Sequence, residues 1–187
     1  MLDLCLSVAC SSLIFVIFKL FSTYKVETLF AIIINYVTAC SVGLLVYGQT
    51  TPLSTLPGKA WFFPAVGLGV LFIVVFNLMA RTSQELGVSV ASVATKMSLA
   101  IPVLMGVWLY NETLSLLKIA GIILALLAVY YASVKPRSNF RSKGLLLPAL
   151  VFLGSGIIDV CIKYIQDGLV AEAEFPIFSA AVFAAAA

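Results

Sequence analysis

The sequence predicts an all-α protein, a polytopic bundle of membrane-spanning helices, on three observations. Hydrophobic residues fill 63% of its 187 positions. Charged residues fill 10%, against roughly a quarter in a soluble domain. The apolar residues gather in six continuous stretches of about 20 residues each, the length a helix needs to cross a ~30 Å hydrocarbon core. Such runs lack the polar/apolar alternation of a membrane barrel. A helix also satisfies its own backbone N–H and C=O groups inside lipid.

The first span is expected from Leu2 to Phe21, and the second from Thr28 to Tyr47 after a turn at Thr23, Tyr24 and Lys25. Gly48 to Lys59, with Pro52, Pro57 and Gly58, reads as a loop, because proline and glycine punctuate helices. The third span covers Ala60 to Ala80, and the polar run Arg81 to Gly87 separates it from a fourth at Val88 to Tyr110. Asn111, Glu112 and Thr113 form a tight turn, and although they match a glycosylation acceptor they read as helix-end chemistry. The fifth span runs from Leu116 to Val134, and the strongly charged loop Lys135 to Gly144 follows it. The sixth runs from Leu145 to Ile165, followed by a loop carrying Asp167, Glu172 and Glu174. A seventh begins at Phe175 and reaches Ala187, about 20 Å of helical rise and therefore a truncated crossing.

The net charge of +3 is scattered. No segment outside the apolar spans forms a basic face interleaved with aromatics, which excludes a nucleic-acid partner. Lys19, Lys25, Arg81, Lys135, Arg137, Arg141 and Lys143 fall on the face reached after odd-numbered spans, and Lys59, Lys118 and Lys163 on the other. By the positive-inside rule the first face is cytoplasmic and the N-terminus lies outside. Cys5, Cys10, Cys40 and Cys161 lie in apolar segments without paired spacing; they read as small buried residues and give neither a disulfide nor a metal site. No cofactor is implied. Ser7, Val8 and Ala9 before Cys10 mimic a lipoprotein signal, but the basic leader is missing and the apolar run continues, so a retained span is expected.

Shifting the chain by 144 residues lays Cys10 to Lys19 on Gly154 to Lys163, each with three small residues, six mostly apolar ones and a lysine. If this is a repeat, the first copy holds an odd number of spans, so the second enters the membrane from the opposite side. That is the five-plus-five inverted-repeat plan of secondary transporters. The expected division is residues 1–134 as the first five-helix repeat, 135–144 as a basic inter-repeat loop and 145–187 as the start of the second.

Lys96 lies about 12 Å into the fourth span, beyond easy snorkelling reach. An ammonium at that depth needs a partner or a wet cavity. Ser89, Ser92 and Lys96 follow helical spacing, with Thr95 and Ser98 alongside. Pro102 has no backbone N–H, so the Ser98 carbonyl is expected to lose its usual partner and become available to a ligand. A bend beside a cation fits an anionic group. Asp159 is the one acid deep in a span and a candidate for carrying a proton, although Lys163 four residues on could equally hold it in a helical ion pair. Asn77 in the third span is a candidate for the substrate path or an interhelical hydrogen bond, and Asn35 and Tyr36 read as structural.

An intramembrane enzyme is disfavoured. There is no histidine for a serine–histidine or HExxH site, and one embedded acid cannot form an aspartyl dyad. Gly154-Ser155-Gly156 therefore reads as a packing run. A non-transporting scaffold or assembly subunit is the remaining alternative to a carrier.

Gly87-Val88-Ser89-Val90-Ala91-Ser92, Ile101-Pro102-Val103, Gly106, Asn111-Glu112-Thr113-Leu114 and Ala120-Gly121-Ile122 resemble the end of the first half of EamA-type carriers in the drug/metabolite transporter superfamily. The resemblance covers about 45 residues, in the order of a small-residue helix, a Pro-Val kink, an acid at a tight turn and a glycine-containing helix. It implies ten helices in two inverted halves around a cavity lined by spans one, three, four and six of this chain. Ser12, Asn77, Ser92, Lys96 and Asp159 lie on those spans. It also implies small-molecule substrates (amino acids, metabolites or drugs) and a bacterial inner membrane. Such carriers usually start in the cytoplasm, contrary to the charge count.

Overall fold

A computed structural model of the chain describes residues 2–47, 53–110, 115–133 and 143–187. It is helical, with no strand among the described residues. The helices are α1 (Leu2–Thr23), α2 (Thr28–Val46), α3 (Phe62–Glu85), α4 (Val88–Met97), α5 (Ala100–Tyr110), α6 (Leu116–Ser133), α7 (Lys143–Leu169) and α8 (Phe175–Ala186), with 3-10 turns at Leu53–Gly58 and Glu172–Glu174. Among the described residues, five segments are long and apolar enough to cross a membrane: Cys5–Thr23, Thr28–Val46, Phe62–Glu85, Val88–Val107 and Leu145–Leu169. The apolar helix Leu116–Ala132 is shorter. The turn at Asn111–Thr113 and the basic loop up to residue 142 lie outside the described residues.

Two spans outrun their expected ends. The polar residues after Ala80 form the last turns of α3, not a loop, because α1 gives their side chains partners. Ser83 is buried and donates to the Phe15 carbonyl at 2.8 Å. The Gln84 amide donates to the Phe18 carbonyl at 3.1 Å and to the Thr28 hydroxyl at 2.9 Å, while the Lys19 ammonium donates to the Gln84 carbonyl at 2.6 Å. These contacts override the local polarity that reads as a turn. The chain reverses at Gly87, whose φ of 108° is open to glycine and costly for other residues. Helix α7 likewise continues through Asp167 to Leu169.

The chain forms two compact units that cut across its linear order. The first comprises Met1–Thr28 and Asn77–Ile157; within it α4 packs on α1 and α6, and α5 on α6. Much of α1 stays exposed, including Leu13, Val16 and Ile17, as lipid-facing surface would be. Cys5 and Cys10 lie on exposed surface, not buried as the sequence had implied, and all four cysteines are free.

The second unit comprises Leu29–Phe76 and Ile158–Ala187. Its core is aromatic: Tyr36 of α2 is buried between Phe72 and Phe76 of α3 and Phe183 of α8, with ring centroids 5.4 to 6.4 Å away. Gly69 lets α8 approach α3 closely. At the start of both helices the Glu174 carboxylate accepts from the Lys59 ammonium at 2.7 Å and from the buried Trp61 indole N–H at 2.9 Å. Trp61 in turn meets the edge of Phe178 at 5.8 Å.

The hydrogen bonds from Lys59, then from Trp61, hold the Glu174 carboxyl below its ordinary value. A depressed carboxyl stabilises the fold above its unfolded-state pKa and loses that contribution as pH falls through the folded one. The wild-type melting temperature in detergent is therefore expected to fall more steeply than that of Glu174→Gln as pH drops from about 5 to about 3. Parallel melting curves of the two proteins would contradict the assignment.

Candidate functional site

Proline chemistry sets the site in the first unit. Pro102 offers no N–H and its ring crowds the carbonyl four residues back, so the fourth span is not one kinked helix. It stops at Met97 and restarts at Ala100. The Ser98 carbonyl is not left open, as the sequence had implied: it accepts from the Ile101 N–H at 2.8 Å, a tighter bond that replaces the missing one. The fully buried Ser98 hydroxyl donates to the Thr95 carbonyl at 2.6 Å, and the Thr95 hydroxyl to the Ala91 carbonyl at 3.0 Å. The end of α4 is thus closed by its own hydroxyls.

Lys96 occupies the last turn of α4, where the carbonyl end of the helix dipole favours a cation. It is half-buried, and its ammonium donates to the Ser11 hydroxyl of α1. Among the described residues no carboxylate pairs with it. Of its three N–H donors, one is used on a neutral oxygen. The remaining donors, beside a helix break, can take an oxyanion.

The other expected residues are placed differently from one another. Ser92 is half-buried on α4, one turn before Lys96. Asn77 is half-buried on α3 and has an interaction of its own. The Ser12 side chain is exposed and its hydroxyl donates to the Val8 carbonyl at 2.8 Å. Its neighbour Ser11 is the residue that meets Lys96, and the sequence reading passed over it. A usable signal was present: Ser11 and Lys96 each lie near the middle of an apolar stretch, and the first and fourth spans run in opposite directions. Their midpoints therefore share a depth.

Asp159 belongs to the second unit, half-buried on α7. Among the described residues of that unit the salt bridge found is Lys59–Glu174 and not Asp159–Lys163, and Lys163 has an interaction of its own.

A protein of Haemophilus influenzae described as uncharacterized is 28% identical over 172 residues, covering 87% of this chain and 58% of that protein. The chain therefore spans less than two thirds of the curated relative it matches. No solved structure matches it. The model of the EamA-like transporter family matches residues 1–134, which include α1, the broken fourth span and Lys96. With its several membrane-crossing helices, the chain is a multi-pass membrane protein and belongs to the EamA-like transporter family.

Proposed function

We propose that this protein is a secondary carrier for small metabolites bearing an anionic group, amino acids and related acids among them, working by alternating access between two inverted halves. The observation that carries the reading is Lys96: a cation at mid-span, beside a broken helix, whose partner is a neutral hydroxyl. Retaining such a group in a membrane is costly unless it is used. Discontinuous spans are where carriers of this kind bind substrate and ions. Ser92, Asn77 and Ser12 line the path on this reading, and Asp159 carries the coupled proton. The site of action is the inner membrane of a bacterium.

Uptake of radiolabelled amino and organic acids into proteoliposomes, with and without an imposed pH gradient, tests this reading. Accumulation is expected to require the gradient and to stop when an ionophore collapses it. Asp159→Asn is expected to lose the response to the pH gradient while still exchanging substrate. Turnover that survives collapse of every gradient would point to an enzyme instead, and a stable complex with a partner protein and no uptake to a scaffold.

A further inference from the structure

We infer that Ser155 of α7 is a second polar group of the Lys96 site, a hydroxyl that donates to the substrate's oxyanion; the inference rests on the carrier reading above. Its hydroxyl is unusual for this protein. Ser12, Thr82 and Thr95 in the same unit each donate to the carbonyl four residues earlier on their own helix, the default for a hydroxyl in an apolar helix. Ser155 does not. The residue is 7% exposed and its oxygen has no hydrogen-bond partner among the described residues.

Two further observations connect this stretch of α7 with the Lys96 site. A Cβ on the adjacent Gly156 would lie 2.3 Å from Ile101 Cδ1 and 2.7 Å from its Cβ, so α7 touches the first turn of α5, immediately after the break. Lys96 stands five residues before Ile101, on the other side of the break. The 144-residue shift then lays Ser155 on Ser11 and Gly156 on Ser12. Ser11 is the hydroxyl that receives the Lys96 ammonium. Its counterpart under that shift is the same residue type, next to the glycine that meets Ile101, with its hydrogen-bonding capacity unspent. An ammonium and a hydroxyl that both donate match the two oxygens of a carboxylate.

The experiment uses thiol chemistry in native membranes, with Cys5, Cys10, Cys40 and Cys161 replaced by serine and Ser155→Cys or Ser11→Cys introduced singly. The probes are anionic sulfonatoethyl methanethiosulfonate and cationic trimethylammonioethyl methanethiosulfonate. Both thiols are expected to react, with the anionic reagent favoured, and Lys96→Met is expected to cut the anionic-to-cationic rate ratio at each by on the order of tenfold. Ile157→Cys, 48% exposed on apolar surface, is expected to react with neither. If Ser11→Cys shows the Lys96-dependent preference and Ser155→Cys does not, Ser155 is a packing residue and the inference falls while the carrier reading stands. If neither shows it, the Lys96 site itself falls. Should Ser155→Cys fail to insert, Ser155→Ala takes its place in uptake assays. A KM raised about tenfold for carboxylates but not for their methyl esters supports the inference, and an equal change for both overturns it.

Discussion

Lys96→Met is expected to lower kcat/KM for carboxylate substrates by about a hundredfold or more in proteoliposome uptake. Truncating one partner of a desolvated charge pair costs about 2–5 kcal/mol, and methionine keeps the apolar stem while removing every donor. Stability is expected to move the other way. The ammonium meets only the Ser11 hydroxyl, so its desolvation is incompletely offset, and the variant should melt at or above the wild-type temperature in detergent. Loss of transport together with loss of the fold would mean that Lys96 is structural.

The largest effect on stability is expected at Gly69. A Cβ there would sit 2.7 Å from the Val182 carbonyl oxygen and 2.9 Å from the carbonyl carbon of Ala185. These are backbone atoms of α8 and cannot rotate aside. Gly69→Val must push α8 from α3, opening the aromatic contacts of Phe183 with Tyr36 and Phe72. Overpacking of this kind costs about 1–3 kcal/mol, which is roughly 3–10 °C in melting temperature for a chain of this size. Gly67 is the control on the same helix, because a Cβ there meets nothing within 4 Å. Gly67→Ala is expected to melt within about 2 °C of wild type, as helix propensity favours alanine. Equal melting of Gly69→Val and wild type would show that α8 does not rest on α3 as described.

Much of the fold was legible because hydrocarbon imposes a simple rule, that a continuous apolar run of sufficient length becomes a helix. The limits of that rule show at Ser83 and Gln84. Polarity marks them as loop, yet they continue α3 because carbonyls of α1 accept their hydrogen bonds, and no local pattern encodes a distant acceptor. Pro102 announced a disturbance of the fourth span. Whether the freed Ser98 carbonyl would stay open or take the Ile101 N–H depends on how tightly the chain turns, which composition does not specify. Lys96 was conspicuous by its depth alone. Its partner was harder to find, because adjacent residues on a helix point about 100° apart, and only the packing of α1 on α4 selects Ser11 over Ser12. Ser155 was hidden by its company: between two glycines it reads as close packing, and its unpartnered oxygen is visible only in three dimensions.

The most direct measurement of the central claim is uptake of one amino acid and its methyl ester by wild type and Lys96→Met side by side, under the same imposed pH gradient. The account predicts gradient-driven accumulation of the acid by the wild type, little accumulation of the ester, and loss of that preference in the variant. Equal handling of acid and ester by both proteins would contradict it.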